Sequence, residues 1–142
     1  MTVRLESWQA ASQRLAFVRR AVFINEQHVP EALEWDDADA HAVHALAESA
    51  TGIPVGTARL LPDHQIGRMA VLGPWRGAGV GSALLRALIG VAVLRGAVSV
   101  QLNAQVRAIP FYERFGFEAH GAVFDDAGIP HRAMTLRAGP HR

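Results

Sequence analysis

"WRGAGVGSALLRAL" (residues 75–88) is the stretch on which the reading of this chain turns. One arginine is followed by glycines at 77, 79 and 81, and then by an apolar run of helical character. Glycine inside a helix costs about 1 kcal/mol relative to alanine, so three at a helix start point to a backbone that comes close to something. A turn from strand into helix aims several N–H groups at one spot, and the helix end adds roughly half a positive charge. Two readings follow: a cradle for a phosphate, or a bare tight turn that lets the helix pack closely.

Among phosphate cradles the spacing discriminates. A P-loop requires a lysine and then Ser or Thr after its last glycine, yet all 14 residues counted as Lys or Arg are arginine. A dinucleotide fingerprint spaces its glycines GxGxxG and places an acid about 20 positions later. Here Gly77, Gly79 and Gly81 run GxGxG, Ser82 follows, and no such acid appears.

Working outward, "TVRLES" reads as a short first strand, with Ser7 placed to cap a helix over residues 9–24. In that helix Leu15, Val18 and Val22 recur at helical spacing, and Arg14, Arg19 and Arg20 fall on the surface. The acids and proline of "NEQHVPEALEWDDADAH" predict a long loop over residues 25–41. "HAVHALAES" and "PVGTARLLP" flank the turn "ATGIP" as a hairpin, and "QIGRMAVL" adds a further strand before the glycine turn. The following helix runs to about Arg95 and stops at Gly96. "VSVQLNA" is a strand, "AIPFYERF" a short helix, and "FEAHGAVF" and "HRAMTLR" are the last two strands. The order is βα, a β-meander, then αβαββ, which is mixed α/β with a largely antiparallel sheet.

Bulk properties narrow the function classes. A chain of 142 residues is expected to form a single domain, 1–142, able to bury a core without disulfides or metal. A net charge of +1 gives no case for nucleic acid as a partner. No apolar run reaches the roughly 18 residues of a membrane span, and "MTVRLESWQAAS" lacks the layout of a signal peptide, so no membrane partner and a cytoplasmic location are expected. The absence of cysteine removes disulfides, thiolate metal sites and a cysteine nucleophile. His41 and His44, three apart on a strand, point to opposite faces, so no metal site is expected.

Arg76, Gly79 and Gly81 match the R-x-x-G-x-G pyrophosphate loop of the GCN5-related N-acetyltransferases, the GNAT family, and "NAQVRAIPFYERFGF" (residues 103–117) resembles the second half of that family's cofactor site. The opening F-x-x-E-Q-x-V-P, at Phe23, Glu26, Gln27, Val29 and Pro30, is similar to that of the small bacterial ElaA/YjcF-like subgroup. So is the closing G-I-P-H-x-x-M, at Gly128, Ile129, Pro130, His131 and Met134. The resemblance implies the acyl-CoA N-acyltransferase fold, an α/β domain whose mostly antiparallel sheet is splayed between strands 4 and 5 and flanked by helices. It implies acetyl-CoA as cosubstrate, no metal, and transfer of acetyl to a primary amine of a small-molecule acceptor. With no cysteine available, the transfer is expected to be direct.

By the same resemblance, cofactor contacts come from Met69, Ala70 and Val71 on the opened strand, from Arg76, Gly77, Ala78, Gly79, Val80, Gly81 and Ser82 in the turn, and from Asn103 and Phe111 across the gap. An N–H of Ala70 or Val71 polarises the thioester carbonyl, Tyr112 protonates the departing sulfur, and His131, then Glu26, are the candidate bases. Each has a plain structural alternative: Tyr112 a core ring with its hydroxyl at the surface, His131 a strand-end histidine bonded to solvent, Glu26 a carboxylate fixing the next loop. Asn103 departs from the histidine often found there, and it keeps open a non-catalytic acyl-CoA-binding or regulatory module; acetylation of a protein or peptide amine is a further alternative. The acids Glu31, Glu34, Asp36, Asp37 and Asp39 either attract a cationic acceptor or form a solvated loop. The helix containing Gly90 is apolar nearly all round, which suggests burial on more than one face and a possible homodimer contact.

These readings predict that acetyl-CoA, at 100 times its dissociation constant, stabilises the protein by about 2.7 kcal/mol in thermal melts, while ATP and NAD give no shift.

Overall fold

The computed structural model describes residues 1–138; the last four residues of the expected 1–142 domain lie outside the described residues. Its elements are β1 (Thr2–Glu6), α1 (Trp8–Arg19), a π-helical segment (Arg20–Glu26), α2 (Glu31–Glu34), a 3-10 turn (Asp37–His41), β2 (Val43–Glu48), β3 (Pro54–Leu60), β4 (Gln65–Val71), α3 (Val80–Leu94), β5 (Ser99–Gln105), α4 (Ile109–Glu113), β6 (Glu118–Asp126) and β7 (Ile129–Arg137). They form a mixed α/β structure with one seven-stranded sheet in the order β1-β2-β3-β4-β5-β7-β6. Every neighbouring pair is antiparallel except β4 and β5, which run parallel.

Strand alternation assigns the two sheet faces. On β2, Ala45 and Ala47 join the core under α3, whereas Leu46 packs with Ala11 and Leu15 of α1. Small residues under α3 let the helix lie close to the sheet. A Cβ on Gly56 would stand 2.8 Å from Val80 Cγ1 and 3.0 Å from Leu84 Cδ1, so this glycine fixes how near the start of α3 approaches β3. α3 buries Val80, Leu84, Leu85, Leu88 and Ala92 on one side. Ile89 and Val91 pack partly against the same core, while Leu94 is 90% exposed and Val93 48% exposed at the end of the helix.

The segment over residues 25–41 is more ordered than its composition suggests. Ser7 caps α1 as expected, accepting a bond from the Ala10 N–H at 3.1 Å. Arg19, expected at the surface, has no exposure at all. Its Nε donates to Glu34 Oε2 (2.8 Å), its Nη1 to Asp39 Oδ1 (2.7 Å) and its Nη2 to Glu34 O (2.9 Å). The guanidinium carbon lies 5.5 Å from the ring centroid of Trp8 and 5.1 Å from that of Trp35. Arg59 donates to Asp36 and Asp39, and Arg68 pairs with Glu34. The acidic run is thus largely neutralised from within by three arginines, and Glu31 pairs with Arg20. Sequence reading missed this cluster because its partners come from α1, β3 and β4.

Breaking a buried ion pair from one side leaves uncompensated charge, so Arg19→Met is expected to lose about 3–5 kcal/mol of stability in urea denaturation, far more than Arg20→Met on the exposed Arg20–Glu31 pair.

Candidate functional site

β4 and β5 pair over only two positions, Gln65 with Gln101 and Ile66 with Leu102, and then separate. The cause lies on the other edge of β4. Between Thr57 and Arg59 the β3–β4 register shifts: Ala70 faces Thr57, yet Gly67 faces Arg59, so β4 carries an extra residue. Arg68 sits there with φ of +50°, a backbone state uncommon for residues other than glycine. Its guanidinium is tied to Glu34 Oε2 at 3.2 Å and to Glu34 O at 3.3 Å. A bulge of this kind increases local twist and bends its strand. Here it turns β4 away from β5.

The gap opens into a cleft of about 980 Å³. Strand alternation fixes what β4 offers it. Leu72 N–H bonds to Val55 O on β3, so the N–H and C=O of Val71 face the open side. Met69 and Val71 line the cleft, whereas the Ala70 side chain is buried against Val18, Val22, Phe23 and Val29 behind the sheet.

At one end lies the glycine turn. Gly77 and Gly79 have φ of +78° and +85°, and a Cβ at either would meet nothing within 4 Å. Glycine is needed there for backbone conformation, and the space in front of the turn is open. At Gly81 the ring of Phe111 packs over the turn, with Cζ 3.4 Å from where a Cβ would stand, which is ordinary contact distance. Gly77, Gly79, Gly81 and Ser82 line the cleft, and Val80 is buried beneath it at 2% exposure. Ala78 is an exposed residue of the turn. Open amides at a helix start and no blocking side chain suit a diphosphate.

Arg76 takes a different posture. Its Nε donates to Val71 O at 3.0 Å, and its two terminal nitrogens donate to the two carboxylate oxygens of Glu26, each at 2.6 Å. The hydrogen bonds from Arg76 hold the Glu26 carboxyl below its ordinary pKa. On the next residue, the Gln27 amide exchanges hydrogen bonds with that of Gln105 at 3.0 and 3.4 Å. Neither the Arg76–Glu26 bond nor the Gln27–Gln105 bond is signalled by local spacing.

Opposite, α4 presents Tyr112. Its ring is 9% exposed, edge-on to Phe111 and Phe117, and its hydroxyl donates to Met69 Sδ at 3.6 Å. The hydroxyl therefore meets β4 across the cleft and not solvent. Burial pushes the phenol up to about 12. His131, at the start of β7, lies opposite Gln105 of β5 and stacks on Phe124. Its Nδ1 is 2.7 Å from Ile129 O, and a carbonyl can only accept. The neutral ring thus carries its proton on Nδ1 and a lone pair on Nε2. Asn103 is exposed and lines the cleft; Trp75, a loop indole suited to lining a site, does so too, as do Arg107 and Asp126, to which sequence reading gave no part. Trp35 lies away from it, over Arg19. The described residues contain no cluster of three or more His, Cys, Asp or Glu able to hold a metal, and no helix among them is long and apolar enough to cross a membrane.

Comparison with known proteins places the family and the fold. The family model for the acetyltransferase (GNAT) domain matches residues 7–138. The chain is 38% identical over 122 residues to the Bacillus subtilis (strain 168) protein described as an uncharacterized N-acetyltransferase, YjcF, covering 83% of this chain and 86% of YjcF. The crystal structure of Escherichia coli ElaA superposes with a TM-score of 0.85 at 26% identity, covering 96% of this chain and 100% of ElaA. An acyl-CoA N-acyltransferase from Pseudomonas aeruginosa does so with a TM-score of 0.82 at 26% identity, covering 95% and 98%.

Tyr112 is the only tyrosine, so phenolate absorbance reports it alone. Its titration is expected near pH 12, against about 10 for an exposed phenol. A raised folded-state pKa contributes stability that is complete below pH 10 and is lost as pH rises from 10 to 12. The loss amounts to about 3 kcal/mol, and Tyr112→Phe removes this alkaline slope in denaturation measured at stepped pH.

Proposed function

The chain belongs to the GNAT acetyltransferase family, and from that premise we propose that it transfers an acetyl group directly from acetyl-CoA to a primary amine of a small-molecule acceptor. The observation that carries this reading is the joining, in one cleft, of the open glycine turn, the edge of β4 that β5 leaves without a ladder, Tyr112 and His131.

Each part has a task. The amides of residues 77–82 take the diphosphate at the start of α3, where the aligned peptide dipoles favour an anion. The free edge of β4, with Met69 and Val71 beside it and Asn103 and Phe111 across from it, pairs with the amides of the pantetheine arm as a strand would. Acetyl-CoA supplies an acetyl group activated as a thioester: the amine nitrogen bonds to the carbonyl carbon as the carbon–sulfur bond breaks. The N–H of Val71 faces the gap and polarises the carbonyl oxygen, an effect worth about 3 kcal/mol per donor in other acyl-transfer sites.

Proton movement falls to two side chains. A primary alkylamine is mostly protonated at neutral pH and must lose that proton before it attacks. His131 accepts it on Nε2, the nitrogen left free by the Nδ1–H bond to Ile129 O. Glu26 is the weaker candidate because both its oxygens are held by Arg76 and its basicity is lowered. Tyr112 remains a protonated donor throughout the physiological range and offers its O–H to the departing sulfur; because burial raises its pKa to about 12, above the roughly 8.5 of an ordinary thiol, it stabilises the developing thiolate through that hydrogen bond.

Steady-state CoA release with a panel of small amines tests this. His131→Ala and Tyr112→Phe are each expected to lower kcat by about 10²-fold or more while the dissociation constant for CoA stays near the wild-type value. Tight CoA binding without turnover of any amine overturns the catalytic reading and assigns a binding module instead.

A further inference from the structure

Beyond the two bonded pairs, at the start of β4 and the middle of β5, the strands part, and at the far end of the gap the two lips are joined by side chains. On the β4 side, the turn that follows the strand reaches out through Arg76. On the β5 side, the last residue of the strand, Gln105, reaches in. Glu26 and Gln27, adjacent in sequence, hold one lip each: Glu26 binds Arg76 through two 2.6 Å bonds, and Gln27 binds Gln105 at 3.0 Å.

This strap is itself firmly seated. The π-helical segment that carries it ends with Gln27 N–H bonded to Val22 O (2.9 Å) and Val29 N–H bonded to Phe23 O (2.8 Å). His28 between them adopts φ of +59°, which turns the chain sharply and drops Val29 into the core at 8% exposure. Wide helical turns of this kind recur at functional sites. The Arg76–Glu26 pair is about half exposed, at 45% and 44%, and an exposed pair adds little to global stability. Its two-point geometry does restrict direction, and the third Arg76 bond, to Val71 O, ties the same guanidinium to the edge of β4 that borders the gap.

We propose that Glu26 and Gln27 are positioning residues that set the width of the β4–β5 gap, and that Arg76 acts on the cofactor through them and not by touching the diphosphate with its side chain. The inference rests on the acetyl-CoA reading of the cleft. Holding the lips apart by a fixed distance keeps the edge of β4, including Val71 N–H, in register for the pantetheine arm, and it leaves the diphosphate to the turn amides.

The test combines a charge exchange with a truncated donor. Glu26→Ala and Arg76→Ala are each expected to raise KM for acetyl-CoA by about tenfold, a typical coupling for a two-bond charged pair, and the double variant by no more than either alone. The exchange Glu26→Arg with Arg76→Glu brings KM below that of either single variant without reaching the wild-type value, because the charged pair is rebuilt with its ends reversed while the bond to Val71 O is not. With S-acetylpantetheine, which lacks the diphosphate, Arg76→Ala raises KM by the same factor as with acetyl-CoA. Gln105→Ala, acting on the opposite lip, raises KM for both donors as well.

A direct contact between the Arg76 side chain and the diphosphate gives the reverse pattern, and that overturns the proposal. The exchange variant, with a carboxylate facing phosphate, is then worse than either single variant, and the Arg76→Ala loss vanishes with S-acetylpantetheine. Isothermal titration of the wild type with CoA keeps the two levels apart. Absence of CoA binding overturns the cofactor reading and the strap together, whereas binding with a failed exchange overturns the strap alone.

Discussion

One extra residue in β4 governs the architecture of the site. At Arg68 the strand bulges against β3, and the backbone adopts a left-handed state that a long side chain tolerates poorly unless something holds it. What holds it is a carboxylate already committed to the interior: Glu34, which Arg19 grips from α1 and Arg68 grips from the sheet. The ionic cluster beneath Trp8 and Trp35 and the opening of the sheet are therefore parts of one arrangement. Charges buried in this way do little for net stability compared with apolar packing, but they demand particular partners at particular distances. That demand fixes where β4 bends, and the bend sets where a ligand could enter.

Around that opening the remaining elements act as fixtures. Gly56 lets Val80 settle on β3, which anchors the start of α3 and with it the turn formed by Gly77, Gly79 and Gly81. Phe111 packs over Gly81 and sets α4 against the turn, so Tyr112 on the following position meets Met69 across the gap. His131 reaches the same cleft from β7 because its strand partner, Gln105, is the last residue of β5. The glycine turn, Tyr112 and His131 come from distant parts of the chain, and each is placed by a separate packing contact.

What the sequence made legible follows the range of the interactions. The glycine turn, the Ser7 cap, the hairpin and the strand order are written in spacing over a few residues, and all appear in the structure where expected. Arg19 was misjudged because helical periodicity assigns a side chain to a face, while only the fold reveals that two acids and two indoles await it there. The same blindness made residues 25–41 look like solvated loop. Glu26 shows the limit for the site itself: its motif marked it as important, but its hydrogen bonds to an arginine fifty positions later were beyond local reading. For Tyr112 the motif indicated a role, and the fold supplied the physical reason that its proton is retained, namely enclosure by Phe111 and Phe117.

A span made of four side chains, in place of ladder bonds, has an evolutionary reach that continuous backbone pairing lacks. Arg76, Glu26, Gln27 and Gln105 all lie outside the main buried cluster, so exchanging them for shorter or longer residues changes the aperture while the scaffold folds as before. Point substitution at this rim offers descendants of the chain a route to a differently held pantetheine arm without rebuilding the sheet.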